Sequence, residues 1–184
     1  QTCALPISRG VIVSHANAMA NCRIIADNFE PEARMFSWLP LHHDMGLIGA
    51  LLATQLNAGP FYCMATRDFE RRPMRWLEFM AKERITTTVG PTSAYLLVAR
   101  WLERKDIGTF DLSALRLAFV GAEAISPQQY EAMERAFARA GVASRVIRPV
   151  YGLAEATLIV SGPKGSIGAD ERSEEHTSEL QSPD

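Results

Sequence analysis

No apolar run in this sequence approaches the roughly 18 residues that a membrane-spanning helix needs. The longest candidate, Met45 to Ala65, is broken by Gln55, Asn57, Gly59 and Pro60. No export-signal pattern opens the chain, and its three cysteines (Cys3, Cys22 and Cys63) stand at no metal-binding or redox spacing. Free thiols in a reducing, cytoplasmic setting are therefore expected. Charge is nearly balanced, 19 Lys and Arg against 21 Asp and Glu for a net −2. Such a balance supplies no basic field for nucleic acid or an acidic membrane. Repeats, low-complexity tracts and internal linkers are also missing from the 184 residues. What is there is an ordinary globular composition, 47% hydrophobic and 22% charged, enough for one domain or for part of a larger one.

Both ends look foreign to the rest. Gln1 to Ile7 can be coded by CAGACGTGTGCTCTTCCGATC, and one more T begins the codon of Ser8. The reverse complement of that string codes Arg-Ser-Glu-Glu-His-Thr-Ser and the first base of a Glu codon, which matches Arg172 to Glu179 residue for residue. The two ends thus resemble translations of one sequencing-adapter oligonucleotide. The expected organisation is a non-native segment over 1–8, a partial domain over 9–171 and a non-native tail over 172–184. Different codons in the source DNA would end this hypothesis. Without these flanks the acidic excess disappears, because they hold one base and four acids.

Between the flanks, strand and helix signals alternate. Arg9 to Val13 reads as a turn into a short strand, and Ser14 as the cap of a helix running to about Asn28 with Cys22, Ile25 and Phe29 inward. Met35 to Leu39 and Phe61 to Met64 read as strands. Asp44 to Leu56 reads as a buried apolar helix closed at Gly59. Pro73 opens a helix that buries Met74, Leu77 and Met80. Thr86 to Val89 is a strand, and Ala94, Val98 and Trp101 follow at helical spacing. Leu117 to Val120 is a strand, Ser126 to Gln129 starts a capped helix that ends at Gly141, and Arg145 to Val150 is a strand. Near-continuous apolar strands alternating with helices predict an α/β fold with a mostly parallel sheet flanked by helices.

Four polar clusters fall where strands end, the place where open α/β sheets bind ligands. Pro40 to Gly46 holds His42, His43 and Asp44. His beside Asp suits proton or carboxylate chemistry, but Asp44 capping a helix beside solvated histidines accounts equally for the pattern. Gly90-Pro91-Thr92-Ser93 and Gly121-Ala122-Glu123 read either as ligand-facing backbone or as ordinary turns into helices. Tyr151-Gly152-Leu153-Ala154-Glu155-Ala156-Thr157 joins an aromatic face, a glycine, a carboxylate and a hydroxyl. That set suits a purine, a close backbone approach and Mg²⁺; a strand turning into a loop with an exposed Glu would look the same.

Taken together, Leu39 to Gly49 (LPLHHDMGLIG), Gly121 to Glu123 (GAE) and Tyr151 to Leu158 (YGLAEATL) stand in the order and spacing of the adenylate-forming superfamily of acyl and aminoacyl ligases. The wording resembles its fatty acyl-AMP ligase branch, and the similarity covers Arg9 to Gly165. The resemblance implies part of the large N-terminal domain of an enzyme that activates a fatty acid with ATP and Mg²⁺, giving acyl-adenylate and pyrophosphate. The acyl group would then pass to an acyl carrier protein. It further implies that Tyr151 stacks on adenine, with Gly121, Ala122, Glu123, Gly152 and Thr157 around the nucleotide. Glu155 would hold Mg²⁺, and His43 would sit by the reacting carboxylate and phosphate. Asp44, Met45, Gly90, Pro91 and Thr92 would border the acyl and nucleotide pockets.

The pattern also departs from the family. Ala154 stands where the superfamily commonly has a phosphate-binding Thr. Of the Gly/Ser/Thr-rich phosphate loop only Arg9-Gly10 is present, and the later ribose-binding Asp, the hinge and the C-terminal catalytic Lys are missing. The 184-residue chain is therefore expected to be a poor catalyst. The alternatives are an acyl-CoA ligase, with CoA as acceptor, and a noncatalytic nucleotide-binding module.

Overall fold

The computed structural model describes residues 10–104 and 110–162. Both adapter-like segments, with Arg9, lie outside them. Five strands form one parallel sheet: β1 (Met35–Ser37), β2 (Phe61–Cys63), β3 (Thr87–Pro91), β4 (Leu117–Gly121) and β5 (Ile147–Pro149), in the order β2-β1-β3-β4-β5. A short antiparallel hairpin, β6 (Tyr151–Gly152) and β7 (Ile159–Ser161), follows directly. Parallel strands need crossover connections, and helices supply them. They are α1 (His15–Ala26), α2 (Ala53–Leu56), α3 (Thr66–Arg71), α4 (Met74–Lys82), α5 (Thr92–Leu102) and α6 (Pro127–Ala138).

Successive strand side chains point to opposite faces, so the sheet has two cores. Phe36, Ala118, Val120 and Ile147 pack with Trp76, Tyr95, Val98, Met133 and Phe137 from α4, α5 and α6. Met35, Val89, Leu117 and Phe119 pack on the other face with Cys22 and Ile25 of α1 and with Met45, Ile48, Ala50 and Ala53. The connection after β1 therefore crosses one face, and those after β2, β3 and β4 cross the opposite one. The chain switches faces between the adjacent strands β1 and β3, which leaves a crevice outside their carboxyl ends.

Local chemistry fixes the helix starts. Ser14 accepts from the Asn17 amide while Asn17 returns a bond to the Ser14 amide, and Ser126 and Gln129 do the same for α6. Each such cap is worth about 1 kcal/mol.

Four sequence expectations need correction. Of the strand expected over Arg9 to Val13, the described residues Gly10 to Val13 form none; Ile12 is 98% exposed, and among the described residues no strand pairs with it. β-branched residues favour a strand only where a sheet receives them. The predicted Asp44 to Leu56 helix is π-helical over Met45–Leu52 before α2. Gly46 and Gly49 weaken α-helical preference there, and both are pressed against tertiary neighbours, the Pro40 carbonyl and the Leu158 side chain. The left-handed residue closing α2 is Ala58, not Gly59. Gly59 is needed because any Cβ would strike the Ala33 carbonyl oxygen. Finally, α3 was not predicted, since Phe69 is its one buried residue and gives no periodicity.

Candidate functional site

A cavity of about 340 Å³ opens at the carboxyl end of the sheet, on the face that carries α1. Three of the four clusters meet in its wall. His43, Asp44 and Met45 come from the loop after β1, Gly121 and Ala122 from the end of β4, and Tyr151, Gly152, Leu153 and Ala154 from the segment after β5. These strands are near neighbours in the sheet, so segments over 100 residues apart in sequence arrive side by side. Parallel pairing does this: Val120 opposes Pro149, and the Val150 amide donates to the Val120 carbonyl at 2.8 Å.

Glycine permits the close approaches. A Cβ on Gly121 would lie 2.7 Å from the Val150 carbonyl oxygen, and one on Gly152 would strike the Leu158 carbonyl. Only without side chains can β4, β5 and the hairpin close around one space. Ala122, which also lines the cavity, takes a left-handed conformation at φ 64°. Tyr151, a residue of the cavity wall, is 61% exposed.

The floor is apolar. Ile25, Met45, Gly49, Val89, Phe119, Val150, Leu158 and Ile159 all contribute to it. Sequence reasoning did not assign Ile25, Val89, Phe119 or Ile159 to a site. A core-facing and a cavity-facing apolar residue look alike in sequence; the signal is only the strand alternation that puts Val89 and Phe119 on the α1 face.

At the opposite wall His43 Nδ1 lies 2.7 Å from Asp44 Oδ1. His43 Nδ1 accepts from the Met45 amide at 3.2 Å. The same Met45 amide donates to Asp44 Oδ1 at 2.7 Å. Asp44 thus caps the π-helical stretch, with His43 beside it.

The remaining predicted residues lie outside the cavity wall. Gly90 faces the other core, where a Cβ would sit 3.2 Å from Trp76; the wall residue from β3 is its neighbour Val89. Thr92 is buried, and its hydroxyl donates to the Glu123 carbonyl at 3.3 Å. The Glu123 carboxylate accepts from the Ser93 amide at 2.6 Å and from the Ser93 hydroxyl at 2.9 Å. Glu123 therefore caps α5 from another loop, and Pro91 is that helix's boundary residue. Neither Thr92 nor Ser93 supplies the cap itself. Glu155 sits exposed in the 3₁₀ turn Ala154–Ala156, next to the wall residue Ala154. Thr157 is buried with φ 75° and ψ −51°, a region a β-branched residue rarely enters.

A resident metal cluster is not built here: among the described residues no group of three His, Cys, Asp or Glu could hold one. One exposed carboxylate, Glu155, fits Mg²⁺ only as that ion is held with phosphates, by one or two protein carboxylates plus phosphate oxygens and water. Among the described residues no helix is long and apolar enough to cross a membrane.

Comparison with known proteins gives consistent matches. The family model described as AMP-binding enzyme matches residues 8–179. A medium-chain-fatty-acid–acyl-carrier-protein ligase, TtuA of Teredinibacter turnerae, is 38% identical over 156 residues, 84% of this chain and 24% of that protein. The long-chain-fatty-acid–AMP ligase FadD28 of Mycobacterium tuberculosis is 32% identical over 84% of this chain and 28% of its own length. Among solved structures, the fatty acyl-adenylate ligase of L. pneumophila, crystallised with acyl adenylate and pyrophosphate, superposes with a TM-score of 0.79 at 36% identity. It is covered over 28% of its length by 85% of this chain. The chain thus spans about a quarter of the length of these relatives.

Proposed function

The chain belongs to the AMP-binding enzyme family, and from that premise we propose that the full-length protein is a fatty acyl-AMP ligase. It joins a fatty acid to the α-phosphate of ATP with release of pyrophosphate, and the phosphopantetheine thiol of an acyl carrier protein then takes the acyl group with release of AMP. The observation that carries this reading is the meeting of His43–Asp44–Met45, Gly121–Ala122 and Tyr151–Gly152 around one cavity with an apolar floor.

The parts divide the task. Tyr151, exposed at the rim, offers a ring face to adenine, and the glycine-lined backbone of 121–122 lets the base lie against the chain. Glu155 is the carboxylate for the Mg²⁺ that accompanies the phosphates, which neutralises charge developing there. His43, beside Asp44 in the cavity wall, sits by the reacting carboxylate and phosphate. The apolar floor takes the start of the acyl chain, so that the carboxylate is held in line with phosphorus. Gly90, Pro91, Thr92, Glu123 and Thr157 shape this space from behind its walls. The flanks 1–8 and 172–184 are adapter-derived in this proposal, and the 184-residue chain alone is a poor catalyst.

The test is fatty-acid-dependent ATP–pyrophosphate exchange by the gene product at its relatives' length. Exchange is expected, and Glu155→Gln should reduce it by about a hundredfold or more. Offering holo-carrier protein and CoA in parallel decides the acceptor: acyl transfer to CoA alone would replace the ligase class proposed here with an acyl-CoA ligase. Nucleotide binding without exchange for any acid would leave a noncatalytic module. Robust exchange by the 184-residue chain would refute its incompleteness.

A further inference from the structure

A buried amide lies behind the site, unassigned by the motifs. Asn21 on α1 is only 7% exposed, and every hydrogen-bonding position it uses is spent on the hairpin segment that follows β5. Its Nδ2 donates to the Ala156 carbonyl at 3.2 Å and to the Ile159 carbonyl at 3.0 Å. Its Oδ1 accepts from the Ile159 amide at 3.0 Å. The partners are 135 and 138 residues away in sequence. A side chain with two donors and an acceptor has here found three backbone partners in one place.

The hairpin needs such an anchor. β6 has two residues and β7 three, with a register irregularity between Tyr151 and Gly152. A two-stranded hairpin of that size is not stable alone. The segment between its strands holds Glu155 and the strained Thr157, and the Ala156 carbonyl that Asn21 binds lies between those two residues. α1 itself is tied to the sheet by Cys22 and Ile25, and Ile25 lines the cavity. The same helix turn therefore touches the ligand space and holds its outer wall.

We infer that Asn21 is a positioning residue: through α1 it fixes the height of the Ala154–Thr157 turn, and with it the Glu155 carboxylate, over the cavity. The inference rests on Glu155 being the Mg²⁺ carboxylate proposed above. A leucine has nearly the same size but no polar atoms. An aspartate keeps shape and acceptor, yet turns a carboxylate oxygen toward two carbonyl oxygens where the amide donated.

The experiment compares Asn21→Leu, Asn21→Asp and Glu155→Gln in the full-length protein. It reads KM for Mg-ATP, KM for the acid, kcat, and hydrogen exchange of the 152–160 amides. Both Asn21 variants should raise the KM for Mg-ATP about tenfold, the equivalent of one lost charged or buried hydrogen bond, with acid KM nearly unchanged. A purely structural role would lower the active fraction without moving either KM. Exchange at Ile159 should quicken in the leucine variant and stay near the parent's rate in the aspartate variant, which keeps the acceptor. If Mg-ATP KM stays put in both Asn21 variants while Glu155→Gln raises it, Asn21 is not a positioning residue and the site reading stands. If Glu155→Gln also has no effect, the metal role of Glu155 falls, and the exchange pattern alone decides whether Asn21 holds the hairpin; equal exchange in all variants overturns it.

Discussion

The two faces of the sheet are built on opposite plans. On the α4–α6 face large rings fill the space. Trp38 stacks on Phe69 at 3.8 Å, Trp76 meets both edge-on, and Tyr95 joins Trp76 to Phe137. Trp76 is also tied down by a polar chain, Nε1–H to the Thr88 hydroxyl at 3.1 Å and that hydroxyl to the Phe36 carbonyl at 2.8 Å. On the α1 face small residues let backbones touch, left-handed residues turn them, and a cavity remains. One face is packed to be rigid; the other spends packing to keep ligand space. The division is an economical one, because positioning demands a scaffold that does not yield.

The comparison is broken most severely from the rigid side. Trp76→Ala removes a fully buried indole at the centre of the ring cluster, with an expected loss of about 3–5 kcal/mol in unfolding free energy. Chemical denaturation measures it. In the fraction that stays folded, KM values should hold, because Trp76 packs in the other core against Gly90, outside the cavity wall. A Mg-ATP KM that shifts as far as stability would show that the faces are mechanically one.

Glu123 sits where the two plans join, so its effect should be smaller and shared. Glu123→Ala removes the cap of α5 and the tie between the loops after β3 and β4. A loss of about 1 kcal/mol in stability is expected for a partly solvated cap, with a severalfold rise in nucleotide KM. Glu123→Gln should restore most of both, since its amide can accept from the Ser93 amide and donate to the Ser93 hydroxyl. If Gln is as damaging as Ala, the charge acts on the nucleotide itself and the cap is incidental.

The parallel sheet, the helix caps at Ser14 and Ser126 and the left-handed Gly141 could be read in the sequence, because each is decided by neighbours a few residues apart. The meeting of the β1, β4 and β5 loops was legible as topology. The jobs of individual side chains were not. Glu123 carries an ordinary motif position but bonds to Ser93, and Asn21 sits in a helix whose inward face was drawn through Cys22 and Ile25. Bonds across 30 or 138 residues leave no trace in local periodicity. The π-helical stretch was hidden for the same reason: Gly46 and Gly49 answer to Pro40 and Leu158, and neither contact is visible along the helix.

The smallest effect tests how firmly the open face is closed. Cys63 is exposed, while Cys22 is 2% exposed on the buried face of α1, its thiol near the Ile48 carbonyl. Burial pushes the Cys22 thiol pKa up, so at a given pH less of it is the reactive thiolate, and its reaction begins at higher pH. A disulfide reagent at pH 8, followed by peptide mapping, should modify Cys63 at once and Cys22 only as the helix opens. AMP should slow Cys22 further, since Ile25 on the same helix lines the cavity and a bound ligand stabilises the closed form. Equal rates at the two thiols would mean that α1 lifts freely from the sheet. The anchoring of the hairpin by Asn21 would then have nothing rigid behind it, and the contrast between the faces would be one of rigidity against motion instead of packing against space.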